Sequence, residues 1–182
     1  MIGPRLEGAH GVALVPLTLE HLKRNRDWMT RPETTRFWGV RVMDMRPEYA
    51  EERFKKLAAD RDNVNWAILF EGEHVGQTGL FEINWISRDA ESGIFIGRHD
   101  LYGKGIASEA IRLRSAFAWQ ELRLRRVHNW IAVRNRGSRR ANEKAGYRQM
   151  GRYDRSWFRS GQWHDEWLGE IFAPGREPPG WV

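Results

Sequence analysis

The sequence predicts a mixed α/β layer built around one central strand–loop–helix unit. Three observations point there. The hydrophobic period changes along the chain between about two and about 3.6 residues, the periods of strands and helices. The run Gly93-Ile94-Phe95-Ile96-Gly97 is apolar enough for a strand in the middle of a sheet. It leads into Tyr102-Gly103-Lys104-Gly105-Ile106-Ala107, two glycines two apart at the start of a helical segment. Open α/β sheets bind ligands at junctions of this kind.

The elements follow in order. Residues 12–15 read as a short strand. Thr18 can cap a helix over 19–29, with Leu22 facing inward. Residues 30–45 read as irregular, with Pro32, Gly39 and the aromatics Phe37 and Trp38. A second helix is expected over 47–60: Pro47 suits its first turn, and Tyr49, Arg53/Phe54 and Leu57 follow helical spacing. The period then shortens. Strands are expected at 65–70 and 74–83 around the turn Glu71-Gly72-Glu73, with a third at 91–97. A helix over 105–121 would present Ile106, Ala110, Leu113 and Phe117 inward. A strand at 127–133 and a short helix at 138–145, stopped by Gly146, come next. Residues 147–160 and 162–172 read as a closing hairpin around Ser160-Gly161, and the tail from Pro174 as loose. A single domain over residues 1–182 is expected, with its core at 10–172.

Composition limits the chemistry. A chain of 182 residues can bury a core without staples. It has no cysteine, which excludes disulfides and thiolate metal sites. The six histidines show no metal-ligand spacing, so no metal is expected. No apolar run reaches the length of a membrane span, and Met1-Ile2-Gly3-Pro4-Arg5-Leu6-Glu7 lacks a signal-peptide core. The expectation is a cytoplasmic protein with no membrane contact. The formal charge of +6 and a pI of about 10.0 favour anionic ligands, a nucleic acid or a multiply phosphorylated cofactor. The arginines between Arg123 and Arg159 fall on alternating strand positions or on the short helix. Solvated faces are expected of them, and no helix-turn-helix or single-strand-binding motif appears. The ten tryptophans are expected in the core or at subunit contacts, with one or two walling a ligand pocket.

The glycine loop suggests an anion site. Such a turn leaves several backbone N–H groups aimed at one point, and the positive end of the following helix adds to their field. Lys104 adds a flexible charge on the same turn. A pyrophosphate fits this arrangement best.

Further motifs narrow the reading. They are Glu82-Ile83-Asn84, the run from Ala90 to Gly97, the loop with Ser108-Glu109-Ala110, Asn135-Arg136-Gly137-Ser138, and Glu143-Lys144-Ala145-Gly146-Tyr147. With these in order the chain resembles the GCN5-related N-acetyltransferases (GNAT), in the branch of ribosomal-protein N-terminal (RimJ/RimL-like) and polyamine acetyltransferases. The resemblance covers about residues 10–172. It implies the GNAT fold, a mixed, mostly antiparallel sheet flanked by helices with a splayed central strand pair. It also implies direct transfer of an acetyl group from acetyl-CoA to a primary amine, either a protein N-terminus or a small molecule.

By position, Gly103, Lys104, Gly105, Ile106, Ala107 and Ser108 would contact the acetyl-CoA pyrophosphate. The backbone of Phe95, Ile96 and Gly97 would pair with the pantetheine arm and polarise the thioester carbonyl. Asn135 would contact the pantetheine. Ser138 would sit near the sulfur as proton donor. Arg139, Arg140 or Lys144 would reach the adenosine phosphates. Glu82 is the leading candidate base and Glu91 the second. Trp38 and Glu82 would line the acceptor pocket. Homodimers are common among such proteins, so a homodimer is a candidate assembly. Many relatives carry a tyrosine as general acid in the short helix, and this chain has Asn142 there. Asn135 and Ser138 are also good helix caps, and a glutamate on a strand is most often a solvated face residue. Two alternatives stay open at this level: a non-catalytic acyl-CoA sensor and a nucleic-acid-associated basic module.

Overall fold

A computed structural model describes residues 1–37, 46 and 48–178. Its strands are β1 (Leu6–Glu7), β2 (Val12–Pro16), β3 (Val64–Phe70), β4 (Glu73–Asn84), β5 (Asp89–Ile96), β6 (Arg126–Ala132), β7 (Arg148–Arg159) and β8 (Gln162–Phe172). Its helices are α1 (Leu19–Met29), α2 (Pro32–Thr35), α3 (Tyr49–Ala59), α4 (Ile106–Gln120) and α5 (Arg136–Lys144), with a 3-10 turn at His99–Leu101. Among the described residues no helix is long and apolar enough to cross a membrane.

The eight strands form one sheet in the order β1-β2-β3-β4-β5-β6-β8-β7. Every neighbouring pair is antiparallel except β5 and β6. That parallel pair requires a crossover, which α4 supplies. The apolar run read as central does lie mid-sheet, between β4 and β6.

Alternating residues of β2 and β3 build two cores. Val12, Leu14, Trp66 and Ile68 join Ile106, Ala110 and Ile111 of α4 on one face. Ala13, Val15 and Ala67 join Leu22 of α1 and Ala50 of α3 on the other. Thr18 caps α1 as expected: its hydroxyl accepts from the His21 N–H, and the His21 ring accepts from the Thr18 N–H. The closing hairpin turns at Ser160 and Gly161, both at positive φ.

The buried stripe of α4 differs from the sequence expectation. Ile106 and Ala110 are buried, but the stripe continues through Ile111, Arg114, Ser115 and Ala118. Leu113 and Phe117 are only partly buried. Periodicity scored by apolarity passes over an arginine that the fold encloses completely.

Candidate active site

β5 and β6 pair at three positions only: Asp89 with Arg126, Ala90 with Val127, and Glu91 with His128. β5 continues to Ile96 and β6 to Ala132, so the strands part after Glu91 and His128. β8 stays paired along the whole of β6, from Arg126↔Phe172 to Ala132↔Glu166. The opening is therefore a wedge that widens toward the C-terminal ends of β5 and β6.

The glycine loop stands at the wide end. Gly103 and Gly105 have φ of 84° and 83°, the left-handed region that favours glycine. A Cβ at either position would meet no atom within 4 Å. Gly105 is the N-cap of α4 and contributes no side-chain cap. The Ile106, Ala107 and Ser108 N–H groups begin the helix, and among the described residues no backbone carbonyl outside it receives them. Ile106 and Ser108 are buried, so they can offer a ligand little beyond the backbone. The Lys104 ammonium lies 5.8 Å from the Phe70 ring centroid.

Backbone alternation selects which β5 amides face the wedge. Gly97 donates its N–H to Val75 O at 2.8 Å, so Gly97 and Phe95 turn their N–H groups toward β4. Ile94 and Ile96 turn theirs toward the gap. The Ile96 carbonyl accepts the Tyr102 hydroxyl at 3.1 Å. The Phe95 ring meets Trp28 edge-on at 6.4 Å on the α1 face.

A buried polar chain lies under the wedge on the α4 face. The fully buried Arg114 guanidinium donates to Thr78 Oγ1 at 2.6 Å, the Gly93 carbonyl at 2.9 Å and Tyr147 Oη at 3.3 Å. Tyr147 Oη also pairs with Ser92 Oγ at 3.0 Å. Asn129 Nδ2 donates to Asn142 Oδ1 at 2.8 Å, and Asn142 Nδ2 to the Ser138 carbonyl at 2.9 Å. Asn135 caps α5 by accepting from the Ser138 N–H. Ser138 itself is half-buried, and Arg139 lies 3.8 Å from Glu143.

The carboxylates lie on the opposite face. Ser92 and Asn129 point to the polar chain, so Glu91 and His128, one residue before each, share the α1 side. The Phe81 ring covers Gly79 and Gly93 beside them, where a Cβ would come within 2.7 and 3.0 Å of that ring. Burial first, and the Glu82 charge second, raise the pKa of the Glu91 carboxyl. Burial lowers the pKa of His128, with Arg126 adding to the effect. Glu82 is exposed, at a bulge in the β4–β5 pairing, with φ of 50°. Trp38 lies outside the described residues.

Comparison with known proteins names this architecture. The model of the acetyltransferase (GNAT) domain family matches residues 12–148. The chain belongs to the GNAT acetyltransferases. It is 30% identical over 126 residues to Bacillus subtilis YdaF, a protein named as a ribosomal N-acetyltransferase; the match covers 64% of this chain and 68% of YdaF. It is 24% identical over 180 residues to the spermidine N(1)-acetyltransferase of Escherichia coli, covering 94% and 96% of the two chains. The Vibrio cholerae spermidine N-acetyltransferase, solved with CoA and spermine, superposes with a TM-score of 0.81 at 22% identity, over 89% of this chain and 95% of that one. Mycobacterium smegmatis RimJ, solved with CoA-disulfide, gives 0.79 at 22% identity, over 94% and 87%. At these identities the two structures speak for the fold alone.

The GNAT chain is an acyl-CoA-dependent N-acetyltransferase. Two features of this GNAT domain escaped the sequence reading. His128 carried no motif, because its closeness to Glu91 comes from parallel pairing across the crossover. Arg114 carried none either, since nothing in a helical arginine announces burial.

Proposed function

We propose that this enzyme transfers an acetyl group from acetyl-CoA to the α-amine of a protein N-terminus. The observation that carries the donor side is the parting of β5 from β6 just before the uncapped Gly105 turn. The N–H groups of Gly105, Ile106, Ala107 and Ser108 would hold the pyrophosphate. The helix dipole and the nearby Lys104 would add positive field. The pantetheine would run down the wedge against β5 and pair with the Ile96 backbone.

The chemistry follows from the two faces. The thioester lies in the gap, and its carbonyl oxygen accepts from the Ile94 or Ile96 N–H as negative charge builds. The amine approaches from the α1 side, where Glu91 accepts its proton, directly or through a water. Nitrogen bonds to the acetyl carbon, the C–S bond breaks, and the CoA thiolate leaves toward α5, where the half-buried Ser138 hydroxyl relays a solvent proton to it. His128 is a neutral neighbour that can carry the proton away from Glu91. Glu91 is favoured over Glu82 as base because it is half-buried, has a raised pKa and stands at the split. Glu82 acts on it through charge.

A polyamine acceptor is the second reading. It is favoured by the spermidine acetyltransferase relative that spans nearly the whole chain, and by the Glu82–Glu91 pair, which could hold an ammonium group. The test is CoA thiol release against a panel of N-terminal peptides, spermidine and small amines. Turnover on peptides alone supports the first reading. Turnover on spermidine alone replaces it with the second. No turnover with any amine, despite CoA binding, removes both.

A further inference from the structure

Beneath the wedge the fold encloses a positive charge. Arg114 of α4 is fully buried. Its partners among the described residues are all neutral: the Thr78 hydroxyl, the Gly93 carbonyl and the Tyr147 hydroxyl. No carboxylate pairs with it among those residues, and its Nε has no hydrogen-bond partner there. Taking a guanidinium out of water for neutral dipoles alone is costly. A Leu or Met would fill the same space without that cost, so the charge itself calls for a role.

The Gly93 carbonyl determines what the charge reaches. Gly97 donates its N–H to Val75, and alternation along β5 turns the N–H and C=O groups of Phe95 and Gly93 the same way, toward β4. Gly93 stands opposite Gly79 in that pairing. The Gly93 oxygen and the Ile94 N–H are the two ends of one peptide group. No cis peptide bond occurs among the described residues, so the two point in opposite directions. The oxygen that Arg114 holds therefore faces β4, and the N–H at the other end faces the gap. Ile94 and Ile96 both turn an N–H to the gap, and the Arg114 bond at Gly93 sets Ile94 apart.

That bond changes the amide as a donor. The Gly93 oxygen accepts from Arg114 Nη1 at 2.9 Å and from Thr78 Oγ1 at 2.9 Å. Donors on a carbonyl oxygen draw electron density across the amide and strengthen its N–H, more so when the donor is charged and the surroundings are dry. We infer that Arg114 acts through the Gly93–Ile94 peptide group and makes the Ile94 N–H the donor that polarises the thioester carbonyl. The inference rests on the thioester lying in the wedge, as proposed above, and adds a positioning residue to that reading. As the amine lone pair forms the N–C bond, the carbonyl π pair moves onto oxygen, where the Ile94 N–H meets it. That pair returns to the C–O bond as the C–S electrons leave on sulfur. Arg114 touches neither substrate.

Substitutions separate the charge from the shape. Arg114→Met keeps a long side chain and removes the charge, and the Gly93 carbonyl retains Thr78 Oγ1. Buried charges replaced by apolar groups of similar volume are often tolerated. Arg114→Lys keeps a cation at the same position. Tyr147→Phe breaks the same polar chain and leaves the Gly93 bond in place.

The test reads the donor carbonyl itself. Acetyl-CoA isotopically labelled at the thioester carbonyl is bound without an amine, and its carbonyl band is isolated by infrared difference spectroscopy. In the parent the band should move to lower frequency than in free acetyl-CoA. Arg114→Met should lose about half or more of that movement. It should also lose about tenfold in kcat, read with the amine that turns over fastest in the panel above, while KM for acetyl-CoA stays within about threefold. Arg114→Lys should regain part of both losses. Tyr147→Phe should keep the band and hold kcat within about twofold. Should Arg114→Met not fold, Arg114→Gln carries the test, since it offers Gly93 an N–H without the charge. A carbonyl band at the parent frequency in the folded Met or Gln variant would overturn the inference, whatever the rate, and would leave Arg114 a structural residue. An equal loss in Tyr147→Phe would overturn it as well. A parent band that does not move from its position in free acetyl-CoA would overturn the wedge placement itself.

Discussion

Asn142 stands where many related enzymes place a tyrosine acid, and the structure gives it a mechanical role that a mutant cycle can measure. It is almost fully buried, at 1% exposure. Asn142→Ala removes its bond to the Ser138 carbonyl and the bond it accepts from Asn129. Each bond contributes about 0.5–1.5 kcal/mol net, and stranding the Asn129 amide costs about 1–3 kcal/mol more. That amide is poorly placed to recover, since its next acceptor is Ser92 Oγ at 3.5 Å and its own Oδ1 already lacks a partner. The sum is about 2–6 kcal/mol, or roughly 4–24 °C in Tm for a chain of this size. Asn129→Ala should cost a similar amount. The double variant should cost about 1–2 kcal/mol less than the sum, because neither amide is then stranded. Denaturant titration gives the stabilities, and kcat/KM is read at a temperature where every variant is folded. Folded Asn142→Ala should keep kcat/KM within about threefold of the parent. Additive stabilities would refute the paired-amide argument, and a rate loss beyond about tenfold in the folded variant would return Asn142 to the chemistry.

Three other outcomes are expected. Gly105→Trp should abolish CoA binding in a calorimetric titration and should cost about 1–2 kcal/mol of stability, since it fills open space in front of the loop and forces a side chain to a φ of 83°. Glu91→Gln should lower kcat/KM by about 10²-fold or more and remove the acid limb of its pH profile; Glu82→Gln, by taking away a charge that raises the Glu91 pKa, should move that limb to lower pH with a smaller loss of rate. His74, whose pKa burial chiefly and His21 secondly push down to about 4, takes up its proton more readily when unfolded, so stability should fall as pH drops from about 6.5 toward about 4; His74→Leu should flatten that slope in thermal melts.

The turns and caps around the wedge were legible because their geometry leaves marks in the residue types. A left-handed turn at Gly103 and Gly105, a cap at Asn135 and a stop at Gly146 each demand a particular side chain or none. The long strands and α4 were legible from period. The short β1 and α2 were not, since two and four residues carry no period. Arg114 was missed because burial of a charge depends on partners drawn from β4, β5 and the residue after Gly146. Glu82 and Glu91, the first and second candidate bases, differ in exposure for a local reason. The bulge between Phe81 and Asn84 turns Glu82 out to solvent, and the β5–β6 contact half-buries Glu91.

The split after Glu91 and His128 organises more than the wedge. Consecutive residues of a strand face opposite sides, so the step from Glu91 to Ser92 divides the labour. Glu91 belongs to the α1 face with His128. Ser92 belongs to the polar chain of Arg114, Tyr147, Asn129 and Asn142. That chain holds β5, β6, α4 and α5 together where the strand ladder between β5 and β6 has ended. Its bonds do locally what interstrand hydrogen bonds do elsewhere in the sheet, and they leave the gap itself unfilled. A slip of one residue in β5 would exchange the two faces, putting a carboxylate against the buried Arg114 and a serine beside His128 on the α1 side. The register at Asp89, Ala90 and Glu91 therefore sets which side chains share a face with His128 and which join the polar chain.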